Sequence, residues 1–378
     1  VGRTCVIACS NEAKTYGIKT GMNLSQVKTL CPQIILIPAD FPKYSFVTRQ
    51  FIRLCSHYTD IMEVFSLDEV FLDITHTHHL FNGPVLLAYD IQSRLQTEIG
   101  DWLGCSIGIA SNKLLAKLAS GLAPKKSVYV VTKANQSSLL ARAPFEEVCG
   151  IGYRLTQRLK AMGIESLPQI LATPDHILTA EFGPFWAPAL KRLAQGEDNS
   201  PLITPDQLPD AKSVSRTYTL FKNTKDGTVI KALIRNLVEE ACFKLRSMGL
   251  VGRQFGLAIR GNHFNQSKYV TRKSFTDNGR RVFNEVYTIY NSWHWPYSVR
   301  FAGVWISLLT RKTYLPQSLF LEDKHQDQLL QAIDRVNGIY GCYTLYPAAM
   351  LNHHIIRPEI NGYLGDKQFQ LKDWLWRS

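Results

Sequence analysis

No apolar run in this sequence reaches the roughly 18 residues that a membrane span requires. The opening "VGRTCVIACSNEAK" also lacks the charged, apolar and small-residue zones of a secretory signal. An integral membrane protein and a secreted precursor are therefore not indicated, and the expected compartment is the cytoplasm. Cysteine is present at positions 5, 9, 31, 55, 105, 149, 242 and 342, but without C-x-x-C pairs or nearby His pairs. This excludes a recognisable disulfide framework or zinc site and leaves free thiols, most of them expected to be buried. Acidic residues are the scarcer charge, 31 Asp and Glu against 43 Lys and Arg, for a net of +12.

What is present points to several domains. A chain of 378 residues, 45% hydrophobic, exceeds what one core usually serves, and two to four domains are expected. The charge is concentrated. Between Lys212 and Lys312 lie 18 Lys and Arg against Asp226, Glu239, Glu240, Asp277 and Glu285. Such an excess within one segment is what phosphate neutralisation requires, and it favours a nucleic-acid surface over an ordinary solvated one.

Along the chain, "TCVIAC" is strand-like, and "SNEAKTYG" offers Ser10 as N-cap and Gly17 as stop for a short helix. "NLSQVKTLCP" places Asn23 and Gln26 at capping-box spacing before Pro32. Helical periodicity then covers Tyr44 to His57, "LLAYDIQSRLQTEI" and "NKLLAKLASGLA", while "CSIGIA" and "SVYVV" read as strands. The alternation predicts an α/β sheet domain ending near Val131.

Three stretches carry chemistry. In "EVFSLDEVFLDIT" two β-prone runs flank "SLDE", so Asp68 and Glu69 are expected at the bend of a hairpin. At a bend both can face one cleft, whereas neighbours within a strand diverge to opposite faces. Two carboxylates beside a buried sheet are costly unless paired or metal-bound, and hard oxygen donors suit Mg²⁺. Asp73 is read as structural or as an outer group near the metals, and not as catalytic. In "EEVCGIGYRLTQRLKAMGIESLPQIL" Gly150 and Gly152 bracket a tight turn before a helix, and Gly163-Ile164 turns into another, the pattern of a helix-hairpin-helix whose backbone N–H groups can approach a phosphate. The basic segment reads as βαββαβ, a ferredoxin-like split unit whose sheet is expected to lay Arg216, Arg260, Arg272 and Lys273 against phosphates.

"FSLDEVFLDIT", "SIGIASNKLLAKLAS", "VCGIGYRLTQRLKAMGI", "LAQGEDNSPL" and "SVSRTYTLF" occur in the order found in Y-family translesion DNA polymerases, which the chain thus resembles over most of residues 1 to 311. "VIACSNEAKTYGIKTGM" is most similar to the UmuC branch, with Asn11 and Lys14 where other branches usually carry Tyr and Arg. The resemblance implies an α+β multidomain polymerase: partial fingers (1–40), palm (41–131), helix-hairpin-helix thumb (132–206), DNA-binding little finger (212–311) and a tail (312–378). It implies Asp68 and Glu69 as ligands of two Mg²⁺ ions in nucleotidyl transfer from a dNTP to primed DNA. Lys14 and Lys125 are then expected near the triphosphate, Lys125 with the reservation that "LAPKKS" puts the lysine after the proline instead of before it. A sliding clamp and a UmuD-like accessory protein are the implied partners.

Family members begin with a D-x-D-x-F-[FY] strand that supplies another metal-binding Asp, and nothing of that type precedes "VGRTCVIAC". The chain is accordingly read as a fragment, an engineered truncation or a natural homologue without catalysis. In the tail, "LPQSLFLEDK" places Gln317, Leu319 and Phe320 in a degenerate form of a sliding-clamp peptide, and "HQDQLLQAIDRVNGIYG" predicts an amphipathic helix stopped by Gly341. A translesion polymerase, a non-catalytic DNA-binding relative that recruits repair partners, and a palm-type nucleotidyl cyclase all accommodate the hairpin carboxylates. The cyclase leaves the G-x-G turn and the basic segment unexplained.

Overall fold

The computed structural model describes residues 5–262, 264–293, 297–316, 318–341 and 343–351. These fall into two compact units, one of residues 5–39 with 209–351 and the other of residues 40–208.

The N-terminal segment is helical where its caps predict. Ser10 accepts from the Ala13 N–H to start α1 (Asn11–Thr15), and Asn23 forms a capping box with Gln26 at the head of α2 (Leu24–Leu30). Over the described residues of "TCVIAC", 5–9, no strand is formed: Cys5 makes an isolated bridge with Asn23, and Val6 exchanges backbone bonds with Met22 and Gly21. Without a neighbouring strand, β propensity alone does not hold the run extended.

The unit of residues 40–208 begins with α3 (Phe41–Cys55), capped by Asp40. An antiparallel hairpin, β1 (Met62–Val64) and β2 (Val70–Leu72), follows, then α4 (Pro84–Arg94). Strand β3 (Ile107–Ile109), α5 (Lys113–Leu122) and β4 (Val128–Val130) form a parallel βαβ unit. The expected single sheet is instead two two-stranded pieces, since β2 pairs only with β1 and β3 only with β4 among the described residues. Next come α6 (Lys133–Arg142), α7 (Tyr153–Ala161), α8 (Leu167–Ala172) and α9 (Asp175–Gln195), the last broken at Gly183. Leu159, Leu167, Ile170, Leu178 and Leu190 close a common core with Leu115 and Leu118 of α5.

The other unit resumes with β5 (Ser213–Thr224), α10 (Gly227–Ser247), β6 (Leu250–Arg260), β7 (Asn265–Thr276), α11 (Gly279–Asn291) and β8 (Val299–Arg311). The βαββαβ succession is as expected, and each crossover straddles one antiparallel strand. The sheet order, however, is β5-β8-β6-β7. That is first, fourth, second, third, where a ferredoxin sheet runs fourth, first, third, second. One face is covered: Val214, Tyr218, Phe255, Leu257, Ile259, Val304 and Ile306 pack with Ile234, Leu237, Val238 and Leu245 of α10. Helix α12 (Leu321–Tyr340) ends at Gly341 as predicted and is tied to this unit by Arg281–Asp323, Lys312–Asp327 and Arg246–Asp334 ion pairs and an Asn278–Gln326 hydrogen bond. Among the described residues no helix is long and apolar enough to cross a membrane.

Candidate active site and nucleic-acid interface

Asp68 and Glu69 do sit at a hairpin bend. The Phe65 and Ser66 N–H groups both donate to the Glu69 carbonyl, at 2.9 and 3.0 Å, and the Thr48 hydroxyl of α3 reaches over to the Leu67 carbonyl at 2.8 Å. The bend is thus held at both its base and its tip. Asp68 is exposed and accepts from the Ser66 hydroxyl. Glu69 is 44% exposed and ion-paired to Lys117 of α5, whose ammonium also lies 4.7 Å over the Phe65 ring. Asp68, Glu69 and Lys117 border a cavity of about 400 Å³ lined by Val70–Leu72 on one side and Ile107–Ile109 on another. The flanking apolar residues are less core-like than their composition suggests, since all three residues of β2 are only half-buried.

The Asp73 carboxylate accepts from the Thr75 N–H at 2.9 Å, and hydrogen bonds from the Thr75 side chain and backbone lower its pKa. Cys55 and Cys105 line the same cavity as protonated thiols, Cys55 pushed up to about 12 by burial and Cys105 raised by the same cause. The expectation of mostly buried thiols is not met among the described residues: Cys31, Cys55 and Cys242 are buried, Cys9 and Cys105 half-buried, and Cys5 and Cys149 exposed.

Lys117 escaped the sequence reading, although "NKLLAK" signals it: Lys113 and Lys117 are four apart and share one face of α5. Lys125 is exposed in the loop after α5, and the neighbouring Lys126 packs against Gly104 with a left-handed φ of 60°. Lys14 is exposed on α1, in the other unit.

At the helix-hairpin-helix pattern, Gly150 has φ +101°, which only glycine adopts without strain. Gly152 is the N-cap of α7, and no atom lies within 4 Å of where its Cβ would be, so the start of the helix is open to approach. Gly163, at φ +77°, ends α7 ahead of α8.

The four basic residues assigned to the sheet part ways. Arg216 shares a face with Val214 and Tyr218, the face that α10 covers, and sits 3.6 Å from the Glu240 carboxylate. The sheet was expected to lay it against phosphates, whereas its guanidinium lies beside a carboxylate of α10. The Val214–Arg216–Tyr218 alternation carried that information. Arg272 is bidentate to Glu285 of α11, at 2.8 and 2.6 Å. Arg260 is exposed on the open face, 4.6 Å over the Phe301 ring, and Lys273 is exposed on the edge strand β7. The charge excess of the segment is also partly offset, because Asp323, Asp327 and Asp334 of α12 pair back onto it. In the tail, Leu319 and Phe320 are 90% and 76% exposed, while Gln317 lies outside the described residues.

A carboxylate hairpin beside a βαβ unit, a helix-hairpin-helix and a separate βαββαβ unit together make the architecture of a nucleotidyl-transferring polymerase. Residues 1–121 match the impB/mucB/samB family and residues 211–319 match its C-terminal domain. The chain is 30% identical over 355 residues to a DNA polymerase IV of Bacillus anthracis, covering 92% of this chain and 84% of that one. It is 32% identical over 313 residues to a DNA polymerase IV of Streptococcus pyogenes serotype M12 (strain MGAS2096), covering 82% and 84%. Among solved structures, a Y-family DNA polymerase chimera, Dbh-Dpo4(243-245)-Dbh, shares the fold with a TM-score of 0.68 at 24% identity, over 81% of this chain and 88% of that one. The chain belongs to the impB/mucB/samB family, the UmuC- and DinB-like Y-family polymerases.

Proposed function

We propose that this protein is a DNA-directed DNA polymerase of the translesion type, joining nucleotides from dNTPs to the 3′ hydroxyl of a primer on a damaged template. The observation that carries the reading is the pair Asp68 and Glu69, presented on a pinned hairpin bend at the mouth of a cavity. A purely DNA-binding relative would have no use for two carboxylates held there. Mg²⁺ suits these donors in kind, because both are hard oxygen ligands. Among the described residues no group of three or more His, Cys, Asp or Glu is gathered, and substrate phosphate oxygens would complete the shell of an ion held by Asp68 and Glu69. When bound, a pair of such ions would activate the attacking hydroxyl and offset charge on the triphosphate. The protein's own part is positional: Thr48 and the Glu69 carbonyl fix the bend, and Lys117 orients the Glu69 carboxylate. Lys14 and Lys125 are proposed to attract the triphosphate. Mg²⁺-dependent extension of a primed template tests the reading.

Duplex is proposed to be held by its backbone through Gly150, Gly152, Arg260 and Lys273, a mode that tolerates altered bases because it reads shape. Reversing the charge at Arg260 or Lys273 is expected to weaken binding to primed DNA and to lower the log–log salt slope by about one unit per lost phosphate contact. Arg216→Ala is expected to leave that slope unchanged, since its guanidinium serves Glu240 on the covered face. A titration of affinity against salt for the three variants decides this.

The exposed Leu319 and Phe320 are proposed to dock on a sliding clamp. Replacing both with alanine is expected to abolish clamp binding in a pull-down or calorimetric assay while leaving affinity for DNA alone intact. Equal clamp affinity before and after would remove the peptide from consideration.

A further inference from the structure

The two lysines of α5 grip the hairpin at two points. Lys117 holds Glu69 at the bend, and Lys113, one turn earlier, holds Glu63 in the middle of β1 at 2.9 Å. The second pair is much the better buried, with side chains 15% and 12% exposed. It also has a second duty. The Glu63 carboxylate oxygen that meets Lys113 accepts the Ile203 N–H at 3.0 Å, and the Lys113 ammonium donates to the Pro201 carbonyl at 2.9 Å. Neighbouring residues extend the fastening: Asn112 donates to the Gly196 carbonyl at 2.9 Å and Gln136 to the Gln195 carbonyl at 3.0 Å. Leu208 packs against the core of Ile52, Tyr58 and Leu87.

Beyond Leu208 the chain passes to the other unit at once, where Asp210 is bidentate to Arg311 and Ala211 packs on that unit's core. Between Gly196 and Leu208 the chain forms one 3₁₀ turn, Pro205–Gln207. With so little regular structure its hold comes largely from side chains: Leu208 and Asp198 of the segment itself, the latter interacting with Leu114 and Lys113, and Asn112, Lys113, Glu63 and Gln136 outside it. Glu63 and Lys113 supply two of these contacts and are themselves joined by an ion pair; they stand on β1, which leads into the carboxylate bend, and on α5, which carries Lys117.

We propose that Glu63 and Lys113 are positioning residues that tie the linker segment from Gly196 to Leu208 to the hairpin that presents Asp68 and Glu69. A half-buried pair of opposite charges is stable only while each has the other and its hydrogen-bond partners. Neutralising one leaves the other charge seeking water, and the way to water is to lift the linker and loosen β1. The two movements share one cause and occur together. This deepens the reading of the hairpin given above, but its measurements need no metal, substrate or turnover, so they stand or fall apart from the chemistry assigned to Asp68 and Glu69.

The experiment compares the wild type with Glu63→Gln, Lys113→Met and Lys113→Arg. Thermolysin cleavage before Leu202 and Ile203 reads the linker, and hydrogen exchange at the Phe65 and Ser66 amides reads the hairpin. Both are expected to accelerate on the order of tenfold in Glu63→Gln and Lys113→Met, because proteolysis and exchange follow the population of the opened form. Lys113→Arg keeps a donor for both carbonyl and carboxylate and is expected to stay near the wild type. Unchanged cleavage in Glu63→Gln overturns the proposal. So does a linker that opens without the hairpin, or a uniform loss of protection through α3 and α4, which would make the pair an ordinary contributor to stability.

Discussion

Alanine at Asp68 or at Glu69 is expected to lower primer extension by about a hundredfold or more, with affinity for primed DNA essentially intact. The size follows from where the groups stand. Both carboxylates are on a bend whose shape is set by other atoms, the Phe65 and Ser66 amides on the Glu69 carbonyl and the Thr48 hydroxyl on the Leu67 carbonyl. Removing the side chains leaves those bonds in place and opens no core cavity, since Asp68 is exposed and Glu69 is 44% exposed. The loss should therefore appear in the chemical step and not in folding. Glu69→Gln separates charge from shape: the amide fits the same space, so near-normal extension with Gln would assign Glu69 a steric role only. Normal extension with Asp68→Ala would reduce "SLDE" to a polar turn and end the polymerase reading of this bend.

Local signals in the sequence translated well into structure. Ser10 and Asn23 were visible as caps because a short polar side chain before an apolar period has one physical use, accepting an orphan N–H. Gly150 and Gly163 marked turns that need positive φ. The βαββαβ succession was legible for the same reason, since each element has its own periodicity. The sheet order β5-β8-β6-β7 was not, because which strands pair is decided by packing between segments far apart in the chain.

The candidate site divides along the same line. The bend was found from adjacent residues. Lys117 and the Glu63–Lys113 pair were missed because each joins residues about fifty positions apart, and only the i, i+4 spacing within "NKLLAK" hinted at a shared face. Arg216 shows a different failure. Net charge places a segment near phosphate but does not orient its side chains, and strand alternation put this guanidinium under α10, beside Glu240. The charge window ending at Lys312 also left out the carboxylates of α12 that pair with it.

Gly108→Ala is expected to destabilise the unit of residues 40–208 by about 3 kcal/mol or more and to lower primer extension with it. Gly108 is the middle residue of β3, and a Cβ there would lie 2.0 Å from the Ala116 carbonyl oxygen and 2.8 Å from the Ser120 amide nitrogen of α5. Both are backbone atoms in the middle of a helix, so neither can swing aside as a flexible side chain would. The helix itself must retreat. That retreat is costly twice over, because Leu114, Leu115, Leu118 and Ala119 of α5 are buried in the core that α6 to α9 share, and because Lys113 and Lys117 on the same helix hold Glu63 and Glu69. The βαββαβ unit has a separate core and does not depend on β3. Calorimetry is therefore expected to show the transition of residues 40–208 moving to lower temperature while the transition of the other unit stays in place. A substitution tolerated without change in either transition would mean that β3 and α5 pack less closely than 2.0 Å implies, and the lysine grip on the hairpin would then have to rest on something other than this contact.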